Sequence, residues 1–228
     1  MTSVVVGDAE QETSGSFDEK QAEERPARGR PRDASKNSAI VNAASRLFME
    51  KGFDGTSMDG VAKRAGVSKQ TVYSHFSSKE LLFSESIHAA IAKYYPDLVL
   101  SKIEKHSFET DLRAVCENYA RLLMSEDAMA MYRVLVAAAA KGPGLAKIFW
   151  ESGPKDMQQK MQDFLQIWVE RGELKINDTE KASSRLITLL KGKAHFQQAI
   201  GLIASVSEEQ LQANVDEAVE AFLRLYRA

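Results

Sequence analysis

Residues 57–76, SMDGVAKRAGVSKQTVYSHF, decide the fold of this chain. The first half has the pattern of a short helix, and Gly66 allows a tight turn after it. Ser68 is suited to cap a second short helix, in which Val72 and Phe76 are four residues apart and share one face. Two short helices joined by a glycine-containing turn form a helix-turn-helix unit.

The second helix of this unit has the size and the side chains to enter the major groove of B-DNA. Gln70 suits a pair with adenine, Lys69 suits guanine or a phosphate, and Tyr73 and His75 suit the backbone. The helix N-termini near Ser57 and Lys79 offer free N–H groups to phosphates. The DNA-contact candidates here are Thr56, Ser57, Ser68, Lys69, Gln70, Thr71, Tyr73, Ser74, His75 and Lys79.

An arginine-rich segment lies directly upstream of the first predicted helix. Residues 28–32, RGRPR, contain the GRP core of minor-groove arms, in which arginines enter the narrow groove of A·T-rich DNA. Arg28, Arg30 and Arg32 are therefore further DNA-contact candidates. The alternative is a merely solvated tail, because residues 1–34 show no apolar periodicity and are interpreted as disordered.

From about Ser35 onward nearly every segment has helical spacing, and none shows sustained alternation. We expect a first helix that ends at Gly52 and a fourth that begins with a capping box of Ser77 and Glu80. Five or six further helices follow, and Asp178 begins a long one that runs to about Ile203. The pattern predicts an all-α fold.

Composition excludes several classes of protein. The 228 residues are 44% hydrophobic and 27% charged, and Cys116 is the single cysteine, which excludes a disulfide scaffold and suggests a reducing compartment. The N-terminus lacks the basic region of a signal peptide, and the apolar run Val134 to Ala140 is far too short to span a membrane. A cytoplasmic protein without a membrane partner is expected.

The net charge of −2 averages three unlike segments. Residues 1–24 carry a net charge of −6, residues 25–82 carry +6, and residues 83–228 carry −2. A basic block within a near-neutral chain suggests a module that binds a polyanion. Charge alone leaves a solvated basic face equally open.

The sequence around this block closely resembles the DNA-binding domain of the TetR family of bacterial transcriptional regulators. The resemblance covers about residues 36 to 83 and rests on LF…KGF…TS, VAKRAGVSKQTVYSHF and SKE at the family's usual intervals. Farther on, MYRVLVAAAAKGPGLAKIFWESGP and LLKGKAHFQQAIGL look like the AefR-like subgroup.

The resemblance implies an N-terminal three-helix helix-turn-helix DNA-binding domain and a C-terminal helical ligand-binding and dimerisation domain. We place a tail with a basic arm at 1–34, the DNA-binding domain at 35–83 and the second domain at 84–228. The family also implies a homodimer joined through its last two long helices, a small-molecule pocket and, usually, repression. The dimer-interface candidates are Leu186, Leu190, His195, Val215, Phe222 and Tyr226.

Aromatic, methionine and cysteine side chains of the C-terminal part are candidate pocket walls, because ligand sites are mostly apolar. They are Cys116, Tyr119, Met131, Phe149, Trp150, Met161, Phe164 and Trp168. Each also fits an ordinary core position on a helix stripe. Lys191, Lys193 and His195 interrupt an otherwise apolar helix and suit polar anchors at the pocket or dimer seam, or a solvated face.

The sequence thus predicts a dimeric repressor that binds a palindromic double-stranded DNA operator and is released by a small apolar or amphipathic effector. An architectural DNA-binding protein without an effector is the alternative, and activation is not excluded. An enzyme is not expected, because no catalytic constellation or nucleotide-binding motif occurs. No cofactor or metal is expected, since Glu85-x-x-His88 is only half of a di-iron pattern.

Overall fold

The computed structural model describes residues 30–94 and 107–228, with side chains described from residue 34 onward in the first range. Within these ranges the chain forms ten α-helices, and the predicted all-α class is confirmed. The helices are α1 (Arg30–Gly55), α2 (Met58–Ala65), α3 (Lys69–His75), α4 (Lys79–Tyr94), α5 (Phe108–Leu123), α6 (Glu126–Ala138), α7 (Gly144–Glu151), α8 (Pro154–Glu170), α9 (Thr179–Ala199) and α10 (Glu208–Tyr226). A 3₁₀ turn, Ala139–Lys141, follows α6.

Helix α1 begins earlier than the sequence predicts. It starts at Arg30, so its first residues lie in the segment interpreted as a structureless tail. Pro31 is compatible with this start, because the first N–H groups of a helix have no acceptor within it. Gly52 breaks the helical geometry near the other end, at φ 71°, in line with its predicted role as a stop.

Most helices begin directly after the capping residues that the sequence predicts. Ser68 caps α3, Asp178 caps α9, and Ser207 forms a reciprocal capping box with Gln210 at α10. The prediction that Ser77 caps α4 is wrong. The Ser78 hydroxyl accepts from the N–H of Leu81 at 3.2 Å, because the backbone turns into the helix one residue later.

Helix α9 is not the continuous helix that the sequence predicts. Gly192 adopts φ 53° and ψ −166°, which divides α9 into two helical parts. Asn214 of α10 fills the break, and its side-chain amide donates to the Leu190 carbonyl at 2.6 Å. A Cβ atom at Gly192 would lie 2.1 Å from Oδ1 of Asn214, so only glycine fits without a shift.

The helices pack around two hydrophobic clusters. Helices α1 to α4 form the first together with Met131 and Val134 of α6, and the rings of Phe48 and Phe83 meet there edge to face at 5.2 Å. Helices α5, α8, α9 and α10 enclose the second, which includes Phe164 and Phe222. Ile91 of α4 packs against both clusters. Helix α4 therefore connects the helix-turn-helix unit to the C-terminal helices.

Across residues 30–94 and 107–228, no helix combines the length and the apolar character that a membrane span needs.

Candidate nucleic-acid interface and effector cavity

The backbone and the buried side chains of α2 and α3 fix the recognition unit. Val61 and Val72 are fully buried, and Phe76 is 8% exposed. Gly66 adopts the left-handed conformation at φ 67°, and its N–H bonds to carbonyls at the end of α2. The N–H of Val67 donates to the Ala62 carbonyl at 3.1 Å. The inner face of α3 is consequently held against the rest of the domain.

The opposite face of α3 is open to solvent. Its exposed side chains are Ser68, Lys69, Gln70, Tyr73 and Ser74, whereas Thr71 and His75 are half-buried. Tyr73 is 46% exposed and is one of the large hydrophobic side chains on the surface. Ser68 accepts from the N–H of Thr71 at 3.0 Å, which fixes the first turn of the helix.

Asp59, which the sequence analysis did not predict as part of the site, lies beside this face. The ammonium group of Lys69 is 2.9 Å from the carboxylate of Asp59 on α2, and this hydrogen bond raises the pKa of Lys69. Lys69 also stands 5.9 Å from the centre of the Tyr73 ring. The carboxylate of Asp59 therefore competes with a phosphate or a guanine for the donors of Lys69.

Two of the predicted flanking contacts are engaged inside the domain. Thr56 is only 3% exposed, and its hydroxyl donates to the Gly52 carbonyl at 2.8 Å. Lys79 donates to the Phe53 carbonyl at 2.8 Å and lies 4.3 Å from the centre of that ring. Ser57 remains exposed and accepts from a backbone N–H of α2. The Thr56 side chain is therefore bound to the end of α1 and is not exposed to a phosphate.

The arginines of the upstream arm are only partly within the described chain. Arg28 lies outside the described residues, and Arg30 and Arg32 lie in the first turn of α1, where only the backbone is described. Because the backbone from Arg30 onward is helical, the extended form of a minor-groove arm is not the conformation of these residues here.

A cavity of about 650 Å³ lies where α1 and α4 meet helices α5 to α9. Four predicted pocket residues line it: Tyr119, Met131, Phe149 and Trp150. The other four, Cys116, Met161, Phe164 and Trp168, belong to the second hydrophobic cluster and do not line this cavity. These four side chains pack against other helices of the same chain. The sequence does not distinguish them from pocket residues, because core and pocket positions recur at the same helical spacing. Burial also raises the pKa of the Cys116 thiol well above its usual value.

Polar groups of α9 line one side of the cavity. Ser184, Thr188, Lys191 and His195 follow one another at helical spacing and all lie at its wall. Burial and the nearby charge of Lys191 lower the pKa of His195, so its imidazole is neutral near pH 7. The ring of Tyr132 contacts the imidazole, with the two centres 5.7 Å apart.

The corner between α7 and α8 ties the cavity to α4. The Ser152 hydroxyl donates to the Ser84 hydroxyl of α4 at 2.7 Å. A Cβ atom at Gly153 would lie 2.1 Å from Cδ1 of Ile91, which shows how closely this corner approaches α4. A molecule that moves Phe149 or Trp150 would therefore act on α4.

Four of the predicted dimer residues are buried within a single subunit. Leu186, Leu190, Val215 and Phe222 each have no exposed surface, because the most apolar stripes of α9 and α10 pack against α5 and α8. Tyr226 is half-buried and its hydroxyl bonds to Arg185, and His195 lines the cavity. The packing therefore corrects the placement of the four buried residues at a partner, whereas the placement of His195 and Tyr226 there stays a prediction.

Other side chains form the outer surface of α9 and α10. Phe196 of α9 is 64% exposed, Ile200 and Leu202 directly after α9 are 60% and 67% exposed, and Leu225 near the end of α10 is 65% exposed. Neighbouring exposed apolar side chains of this size are typical of protein–protein contact surfaces. In the described ranges, no three His, Cys, Asp or Glu side chains are grouped to hold a metal ion.

Comparison with known proteins agrees with this arrangement. Residues 40–85 match the bacterial regulatory proteins of the tetR family, and residues 110–228 match the C-terminal domain of AefR-like transcriptional repressors. The HTH-type transcriptional regulator YdeS of Bacillus subtilis is 30% identical over 160 residues, which are 70% of this chain and 78% of YdeS. The biofilm operon negative regulator IcaR of Staphylococcus aureus is 32% identical over 72 residues, which are 32% of this chain and 38% of IcaR.

Solved structures support the same assignment. A TetR-family transcriptional regulator from Mesorhizobium loti superposes with a TM-score of 0.73 and 31% identity, covering 86% of this chain and 99% of that one. The flavonoid-responsive regulator FrrA gives a TM-score of 0.65 and 29% identity, covering 85% and 98% of the two chains. These relatives are regulators and not enzymes. The chain belongs to the TetR family of bacterial transcriptional regulators.

Proposed function

We propose that this protein is a ligand-responsive repressor that binds a palindromic operator as a homodimer. The observation that carries the proposal is the outward face of α3, where Gln70 and Tyr73 are exposed while Val72 is fully buried behind them. A rigid helix with exposed polar side chains at its N-terminal end suits direct reading of base edges in the major groove.

The two subunits would join through the exposed surface of α9 and α10, which carries Phe196 and Ile200. Dimerisation would place two copies of α3 in successive major grooves, about 34–36 Å apart. DNA binding of this kind takes place where the chromosome is, which makes a cytoplasmic location part of the proposal. Arg28, Arg30 and Arg32 would add contacts to the neighbouring minor groove if the first turn of α1 unwinds on DNA.

An effector in the cavity would release the DNA by shifting the population of two conformations. The cavity is lined by Arg46 of α1 as well as by α7 and α9, so a bound molecule touches both the DNA-binding domain and the C-terminal helices. The bond between Ser152 and Ser84 would pass a movement of α7 to α4. Helix α4 then changes the distance between the two copies of α3.

Binding of the full chain to DNA from upstream of its own gene tests the proposal. We expect the affinity for that fragment to exceed the affinity for random DNA by at least about a thousandfold. It should fall about a hundredfold or more between roughly 50 and 200 mM salt, because phosphate contacts release counterions. The matched variants are Gln70→Ala on α3 and Gln159→Ala on the exposed side of α8, and only the first should lower the affinity.

The second candidate function is an architectural DNA-binding protein without an effector. The net charge of +6 in residues 25–82 favours it, because nonspecific binding depends on charge alone. Competition with random DNA separates the two functions. Equal affinity for the upstream fragment and for random DNA would overturn the repressor proposal and favour the architectural function.

A further inference from the structure

The charged groups around the cavity are mostly cationic. Among the described residues that line it, Arg46, Lys93 and Lys191 carry positive charge and Asp127 alone carries a carboxylate. The carboxylate of Asp127 is 3.0 Å from the ammonium group of Lys93, so these two charges offset each other. Arg46 and Lys191 remain, and the cavity is left with an excess of positive charge.

Lys191 belongs to a stripe of hydrogen-bond donors on one wall. Ser184 and Thr188 precede Lys191 on the same side of α9, and His195, beyond the break at Gly192, lines the cavity as well. Each of these side chains has an O–H or N–H group.

The lining that α5, α6 and α7 contribute is largely apolar. It includes Tyr119, Met129 and Met131, which are 6%, 2% and 7% exposed, and Phe149 of α7. Apolar walls of this kind favour the body of a ligand, and a few polar groups at one side fix its orientation. The cavity therefore combines apolar walls with a stripe of donors on α9 that includes the cationic Lys191.

We propose that the cavity binds a small amphipathic anion, whose apolar body packs against α5, α6 and α7 and whose anionic group contacts Lys191 and His195. The inference rests on the proposed function, since this anion would be the effector. A cationic ligand is disfavoured because the carboxylate of Asp127 is paired with Lys93.

Two dyes with the same aromatic skeleton test the proposal with the full-length protein. Anilinonaphthalene sulfonate carries a negative charge, and N-phenylnaphthylamine lacks it. Fluorescence titration gives the Kd of each dye for the parent protein, Lys191→Gln and Lys193→Gln. Lys193 is the matched control, because it lies two residues away on the same helix, is exposed and does not line the cavity.

Lys191→Gln should raise the Kd of the sulfonate about fivefold and leave the Kd of the uncharged dye unchanged, as expected for the loss of one ion pair. Lys193→Gln should change neither value. Equal effects of the two substitutions, or equal losses for both dyes in Lys191→Gln, would overturn the anion assignment.

Ala90→Leu tests whether the dyes bind in this cavity. Ala90 lines the cavity on α4 and is not part of the donor stripe on α9. The substitution should raise the Kd of both dyes, because it narrows the cavity. An unchanged Kd for both dyes would show that they bind elsewhere, which also overturns the assignment. The binding of DNA without dye is measured separately. Failure there would contradict the proposed regulator, whatever the dyes show.

Discussion

The hydroxyl of Tyr73 and the amide of Gln70 are placed on the solvent side of α3, within reach of a duplex that meets this face. We expect Tyr73→Phe to lower operator affinity about three- to tenfold, because the variant keeps the ring and loses one hydrogen bond to the backbone. Fluorescence anisotropy with a labelled operator measures this change. Tyr132→Phe is the matched control, since Tyr132 is 42% exposed and lines the cavity. An equal loss in both variants would remove Tyr73 from the interface.

We expect Asp59 to oppose DNA binding at the surface where Tyr73 favours it. Its carboxylate holds Lys69 and would repel nearby phosphates. Asp59→Asn should therefore raise affinity for DNA about two- to fivefold and steepen its dependence on salt. Asp163→Asn on the exposed side of α8 serves as the control. Weaker DNA binding by Asp59→Asn, measured in the same titration, would mean that Asp59 stabilises the recognition surface.

At the scale of the element, the break in α9 depends on one glycine. Gly192→Ala would place a methyl group against Asn214 and force a positive φ on an alanine. Gly201→Ala also forces a positive φ, of 78°, on an alanine, but its Cβ atom would meet no atom within 4 Å. We expect Gly192→Ala to lower the free energy of unfolding by at least about 1 kcal/mol more than Gly201→Ala. Equal losses in chemical denaturation would contradict the role of Asn214.

Helix starts were more predictable than the break at Gly192. The caps at Ser68, Asp178 and Ser207 follow from local chemistry, because each side chain bonds to an N–H group of its own first turn. The break in α9 depends on Asn214, which belongs to another helix, and periodicity within α9 carries no information about it. Ser77 and Ser78 are adjacent, and the capping-box spacing of Ser77 with Glu80 favoured Ser77, whereas Ser78 is the residue that caps α4.

At the scale of the whole molecule, the proposed dimer would depend on exposed apolar residues of α9 such as Phe196. Phe196→Glu should separate the subunits, because two charges would enter an apolar contact. Light scattering should then report one 25.3 kDa chain in place of two. Val136→Glu is the control, since Val136 is 57% exposed and lies on α6. A dimer that survives Phe196→Glu would place the interface elsewhere.

Loss of the dimer should also weaken operator binding. A single subunit contributes one copy of α3, and the second copy no longer binds as part of the same molecule. We expect Phe196→Glu to lower operator affinity about a hundredfold or more in the anisotropy assay, while Val136→Glu leaves it unchanged. Unchanged affinity in a monomeric Phe196→Glu protein would mean that one subunit is sufficient for DNA binding.

The sequence could not separate the partner surface from the core of one subunit. Leu186 and Phe222 lie on the most apolar stripes, and such stripes are buried first against the chain's own helices. The surface proposed for a partner is of mixed character, because the exposed Phe196 and Ile200 are separated by two glutamines and an alanine. The lining of the cavity could not be predicted from the sequence either. Arg46 reaches its wall only because α1 packs beside α6, a contact that no local pattern encodes.

Footprinting of the full chain on the DNA upstream of its own gene tests the central claim most directly. We predict two protected half-sites whose centres lie about one helical turn apart, and loss of both when Gln70 and Tyr73 are replaced together by alanine. Uniform protection without half-sites, or an identical pattern from the doubly substituted protein, would contradict the claim that α3 reads the operator.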